Sequence, residues 1–369
     1  MLQAIVWQVA SNILQEKIAG DMTVSLRQYL KERGVCIDGL CGSSFGQKAG
    51  GFSDVELGPD SEPLKIYVQE QYGRFGNNLH QVIHSLIIAR RLSVKHLYFR
   101  FSLDAIRSSI IQVDDMVLHF GVIDAPPPPL LNHTMFELQG FESLIERFSY
   151  ELVKNDAEKI GRYLFADYKM SSKIDNEKTV VFYFRSGDIF STDINPIYSQ
   201  PPLSYYVKCY EHICETMANF KVFVVYENEL NPCISKFKKY LEDRGVFYID
   251  QSASFRDDAS IIASANCIVA AFSSFCDVLA LMNENLDRWY AFRSIAAYEG
   301  IELSIAREFS AILQSDNIEA FRVIDEGNEY TNMGGWQNTE AQLSLMLNYP
   351  ISALAIERQN RDSLVLRVA

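Results

Sequence analysis

The sequence predicts an α/β protein with two Rossmann-like domains, and three observations carry that reading. From residue 178 to residue 292, short apolar runs alternate strictly with amphipathic segments across short connections, the pattern of a parallel, doubly wound sheet. Between residues 64 and 99 a strand, a glycine turn, a helix and a second strand follow one another, which opens a nucleotide-type half-domain. The run VVFYF at 180–184 reads as a buried strand that ends abruptly in Arg185-Ser186-Gly187-Asp188.

In chain order, residues 2–18 place Leu2, Ile5, Val6, Val9, Ile13 and Ile18 at spacings of three to five, as an amphipathic helix does. A second helix is expected over 25–33. This pair is a surface for self-association into a homo-oligomer or for packing on its own domain. Without a basic stripe it is not read as membrane-binding. The Gly/Ser/Asp-rich stretch 34–63 reads as a linker. Leu64–Val68 is a strand; the helix after the glycine turn carries Leu79, Val82, Ile83, Leu86, Ile87 and Leu92 on one face, and HLYF at 96–99 is the next strand. Irregular segments follow, with an extended loop at Pro126–Pro129 and helices over 141–150 and 157–165.

After the strand at 180–184 come helix 203–217, strand 221–226, helix 232–244, strand 246–249, helix 257–265, strand 267–271, helix 273–282 and strand 288–292. Helices are also expected near 302–313 and 340–347. The domains expected are a helical extension and linker at 1–62, an N-terminal Rossmann-like domain at 63–175 and a C-terminal Rossmann-like domain at 176–300. A C-terminal helical segment at 301–369 completes the chain, with packing back on the first domain as one arrangement open to it.

The 369 residues are 48% apolar, enough for about two domains with full cores. A formal charge of −13 argues against general binding of nucleic acid or anionic membrane, while leaving room for a small anion in a local basic pocket. No run of 18 uncharged apolar residues occurs, so no membrane span is expected. The N-terminus lacks a basic region followed by a cleavage site, so a cytoplasmic location is expected. The seven cysteines are scattered and read as reduced; Cys36 and Cys41 lack the further close-spaced ligands of a metal site.

Chemistry gathers at three expected strand tips. At 184–188, FRSGD presents a guanidinium, a flexible glycine and a carboxylate, and the planar fork of Arg185 suits a phosphate pair. At 271–275, AFSSF turns a strand into a helix through two serines, which serve either as a helix cap or as part of an anion site at the helix N-terminus. At 73–78, GRFGNN starts the first domain's helix. It lacks the Gly-Lys-Ser/Thr ending of a P-loop, which argues against a kinase. His80 and His84, four apart on that helix, lack accompanying carboxylates and are read as packing rather than metal ligands.

GRFGNNLHQVIHSLIIARRL resembles the N-terminal glycine-loop and helix of the protein O-fucosyltransferases and α1,2-fucosyltransferases. FYFRSGD resembles their H-x-R-x-G-D motif, and DDASIIASANCIVAAFSSF their late segment. Order and approximate spacing agree across residues 64–292. The resemblance implies a GT-B fold of two facing Rossmann-like domains, with a cleft at the strand tips. It also implies inverting, metal-independent transfer of a sugar from a nucleotide donor, GDP-fucose first, to a glycan hydroxyl.

Carried over, Arg185 would bind the donor's β-phosphate and stabilise the leaving diphosphate, and Asp188 would orient the loop or touch the donor. Ser273, Ser274 and Phe275 would hold diphosphate and ribose, and Asp257 or Asp258 would read the base. Gly73, Gly76 and Asn77 would bring the first domain's backbone to the sugar, with Tyr183 and Gly187 completing the donor site. Tyr183 stands where the family commonly has histidine, and Asn78 where it has glutamine. His84 and Asp193 are candidates for the acceptor side, and Asp188, Asp193 and Glu70 for the general base. No cofactor or metal is expected. The alternatives are another GDP- or UDP-linked donor, or a binding protein that kept the fold without catalysis.

Overall fold

The structure is a computed structural model that describes residues 23–24, 65–68, 71, 73–91, 94–103, 109–124, 130–132, 150–164, 177–191, 194, 196, 198–252, 254–292 and 318–359. The expected helices at 2–18, 25–33 and 302–313, the linker 34–63, the Pro126–Pro129 loop, and Cys36 and Cys41 lie outside these residues. The chain forms two compact units, Met1–Arg147 and Phe148–Ala369. Both are mixed α/β with largely parallel sheets.

In the first unit six strands pair in the order β1-β6-β2-β3-β5-β4. They are β1 (Thr23–Val24), β2 (Lys65–Val68), β3 (His96–Phe99), β4 (Ile110–Val113), β5 (Met116–Phe120) and β6 (Leu130–Asn132), and only β4 runs antiparallel. Helix α1 (Phe75–Arg91) follows β2. Its Leu79, Val82, Ile83 and Leu86 are buried, as are Ile66, Val68, Leu97, Phe99 and Leu118 of the strands, so the apolar period of the helix does match a sheet face. The β4–β5 hairpin was not expected. It turns on Asp114 at φ 54, a left-handed position taken here by aspartate rather than by a signalling glycine, and Arg90 pairs with that carboxylate at 2.6 Å.

In the second unit seven strands pair in the order β13-β12-β11-β10-β7-β8-β9. These are β7 (Lys178–Phe184), β8 (Phe220–Tyr226), β9 (Tyr248–Gln251), β10 (Cys267–Ala270), β11 (Arg288–Phe292), β12 (Glu319–Asp325) and β13 (Leu354–Arg358). All pairs are parallel except β12–β13. The chain winds from β7 through β8 to β9, then returns to place β10, β11 and β12 on the other side of β7. The winding therefore reverses between β7 and β10. Val180–Phe184 and Cys267–Ala270 are buried throughout, because helices cover both faces of the sheet.

On one face lie α3 (Leu203–Thr216), α4 (Pro232–Glu242) and α7 (Glu340–Asn348), packed on one another. Their Tyr205, Tyr206, Phe237 and Met346 join Phe182, Phe184 and Trp336 in one core, where the Phe184 and Tyr206 rings stack at 3.9 Å. On the other face α2 (Tyr150–Leu164) packs on α6 (Ser274–Met282), and α6 on α5 (Phe255–Ile262).

Three expectations are corrected here. The helices expected at 141–150 and 157–165 become one helix beginning at Tyr150; residues 141–149 lie outside the described set. That helix belongs to the second unit, so the division falls at 147/148 rather than 175/176. Lys154 Nζ donates to the carbonyls of Leu281 and Asn283 at the end of α6, and Gly161 lets the backbone approach Met282, where a Cβ would come within 2.8 Å. Lastly, the described part of 301–369 is not wholly helical: it holds the expected helix α7 and also adds β12 and β13 to the second sheet. The charges within both strands hide their pattern, whereas α7 is announced by the Thr339–Gln342 capping box.

Candidate functional site

The tips of β7 and β10 adjoin at the reversal of strand order, where open α/β sheets bind ligands. Beyond β7, Arg185 turns its guanidinium across the tip of β10: Nη1 donates to the Phe272 carbonyl at 3.4 Å, and the cation lies 4.0 Å from the Tyr198 ring centre. Its side chain is 11% exposed and stands 3.6 Å from the half-exposed Asp188 carboxylate. Gln200, fully buried, donates from Nε2 to the same Phe272 carbonyl at 3.3 Å. The cation is thus held from three sides by groups of 198, 272 and 188.

A hydrogen-bond knot fixes the backbone beneath it. Asn231 Nδ2 donates to the Arg185 carbonyl at 2.9 Å, while its Oδ1 caps α4 by accepting from Cys233 N–H at 2.9 Å. Ser186 Oγ donates to Asn228 Oδ1 at 2.7 Å and accepts from Asn231 N–H at 3.0 Å. Asn228 Oδ1 also accepts from Gly187 N–H at 3.2 Å. Gly187 sits at φ +72, and Gly187–Phe190 then form a 3-10 turn in which Asp188 Oδ1 accepts from Ile189 N–H. From the C-terminal segment, Trp336 Nε1 donates to the Ile189 carbonyl at 2.8 Å and Tyr330 donates to the Gln200 carbonyl at 2.6 Å.

Ser273 is the N-cap residue of α6, yet its side chain makes no capping bond; its Oγ lies 3.5 Å from the Tyr183 hydroxyl. The cap reading of this serine is therefore not what the structure adopts. Desolvation dominates at Tyr183, pushing its phenol far above the ordinary range, so it stays protonated and can act as a neutral donor or acceptor. Phe275 packs 5.9 Å from the Tyr183 ring and 5.3 Å from Phe255, whose ring is 42% exposed. Asp257 and Asp258 lie in the first turn of α5. Ser254 caps that helix from Asp257 N–H and donates to the Asp257 carboxylate, and Gln251 donates to Asp258 at 3.0 Å.

The second unit thus brings together Tyr183, Arg185, Gly187, Asp188, Ser273, Ser274 and Phe275, with Asp257 and Asp258 on the neighbouring helix. Gly73, Gly76, Asn77 and His84 belong to the first unit. There Gly73 has φ +64, and a Cβ would run into the Asn77 side-chain amide. Asn78, buried, accepts from Gln71 at 2.9 Å, and His80, Gln81, His84 and Ser85 form a buried polar face of α1. Asp193 and Glu70 lie outside the described residues. Sequence reading missed Tyr198, Gln200, Asn228, Asn231 and Trp336. Of these only Asn231-Pro232 carried a signal, a cap residue followed by a helix-starting proline.

Among the described residues no group of three or more His, Cys, Asp or Glu side chains is placed to hold a metal ion, and no helix is long and apolar enough to cross a membrane. No family model matches the chain, and no curated protein matches it.

Proposed function

We propose that this chain is an inverting, metal-independent glycosyltransferase of GT-B type, moving a sugar from a nucleotide donor, GDP-fucose first, to a glycan hydroxyl. The observation that carries the reading is the placement of Arg185: a guanidinium fixed by the Phe272 carbonyl and the Tyr198 ring, beside a helix whose N-cap serine does not cap it. Transfer of a glycosyl group builds negative charge on the departing diphosphate while the sugar becomes oxocarbenium-like. A cation and helix N–H groups held in advance at that charge lower the barrier, each such donor being worth about 3 to 4 kcal/mol in known oxyanion sites. Tyr183 and Ser273 supply hydroxyls beside the same position, and Asp257 and Asp258 supply carboxylates for a base edge. The reading makes Asp188 the acid that orients the Arg185 loop.

The test is turnover with the full chain in the presence of a chelator: release of nucleoside diphosphate from GDP-fucose, GDP-mannose and UDP-sugars, alongside binding of GDP and UDP. Release from one donor class with binding of its diphosphate supports the reading. Binding without release makes the chain a sugar-nucleotide-binding protein. No binding of either diphosphate refutes the proposal.

A further inference from the structure

This inference rests on the reading just given and deepens it. We propose that Glu227 accepts hydrogen bonds from a vicinal diol of the bound ligand, carried either by the ribose or by the sugar to be transferred. Glu227 is the exposed residue directly after β8, the strand next to β7. Its carboxylate overlies Gly187: a Cβ built there would lie 2.6 Å from Oε2 and 3.2 Å from Oε1. The left-handed φ of Gly187 favours glycine, and the Glu227 carboxylate lies in the space beside it that a Cβ would take, adjoining the Arg185 loop.

The backbone about Glu227 is tied to the same loop. Asn228, next in sequence, binds Ser186 Oγ and Gly187 N–H through one oxygen, and Ser252 Oγ donates to the Glu227 carbonyl at 3.4 Å. Beside a diphosphate site, the ligand groups that suit a carboxylate are hydrogen-bond donors. Two hydroxyls on adjacent carbons are such donors, and an ionised carboxylate offers two oxygens to receive them. In dinucleotide-binding sheets with this strand order, an acid of this kind binds a ribose hydroxyl. Here β8 is the second strand of the unit, and Glu227 is that acid.

Calorimetry on the full chain tests this, with GDP, UDP, their 2′-deoxy analogues and GDP-fucose as probes and Glu227→Gln and Glu227→Ala as variants. The expected result is at least tenfold weaker binding in both variants for the probe that carries the diol. Weakening for the ribonucleotide but not for its 2′-deoxy analogue assigns the ribose. Weakening for GDP-fucose but not for GDP assigns the transferred sugar. Wild-type binding with both variants within twofold on every probe overturns the inference and leaves the functional reading intact. Absence of wild-type binding to all probes overturns both. Thermal unfolding of each variant, expected at the wild-type temperature for an exposed side chain, separates loss of binding from loss of fold.

Discussion

Asn231→Ala should destabilise the second unit by about 2 to 3 kcal/mol. The side chain is 1% exposed and does two jobs. It caps α4 through Cys233 N–H, a loss of about 1 kcal/mol when removed, and it donates to the Arg185 carbonyl, whose partly buried oxygen then lacks that partner at about 1 to 2 kcal/mol. Asn231→Ser keeps a capping oxygen and loses only the donor, so it should cost about 1 kcal/mol less. In a Trp7→Phe background, urea unfolding followed by the fluorescence of the buried Trp289 and Trp336 reads the second unit. At a slope of about 2 to 3 kcal/mol per molar, the alanine variant's midpoint should fall by roughly 1 M. An alanine variant within about 0.5 kcal/mol of wild type would refute the account of the knot under Arg185.

Two further outcomes follow from burial. Desolvation, reinforced by His96 at 3.3 Å, holds the His119 imidazole below its ordinary value, so an NMR titration should show it protonating below pH 6.5. The unfolded chain then binds the proton first. Stability from this site is complete above about pH 6.5 and lost as pH falls through and below it, and His119→Phe should flatten that slope; titration at or above 6.5 would contradict this. Burial also pushes the thiols of Cys209, Cys233, Cys267 and Cys276 up, whereas Cys214 is exposed. In a Cys36→Ser, Cys41→Ser background, a disulfide reagent should find one fast thiol in the native protein and five after denaturation, and two or more fast native thiols would count against the packing described.

The doubly wound second sheet was legible because its helices and strands keep different apolar periods. Strands such as VVFYF and CIVA are covered on both faces and cannot be mistaken for surface segments. The β4–β5 hairpin escaped because its turn is Asp114-Asp115, and β12 and the edge strand β13 escaped because both carry charges at positions that would otherwise mark them. At the site, residue type alone drew attention to Arg185, Asp188 and Ser273. What holds Arg185 was hidden. Tyr198 and Gln200 come from an irregular loop, Asn228 and Asn231 from a strand-to-helix turn, and Trp336 from a glycine-containing stretch far along the chain, all joined only by folding.

The central claim is that Arg185 meets the negative charge that grows on a leaving diphosphate. Its most direct test is the turnover number of Arg185→Ala for release of nucleoside diphosphate from the donor the wild-type chain uses. The account predicts a fall of about a hundredfold or more. A turnover number within threefold of wild type would contradict it.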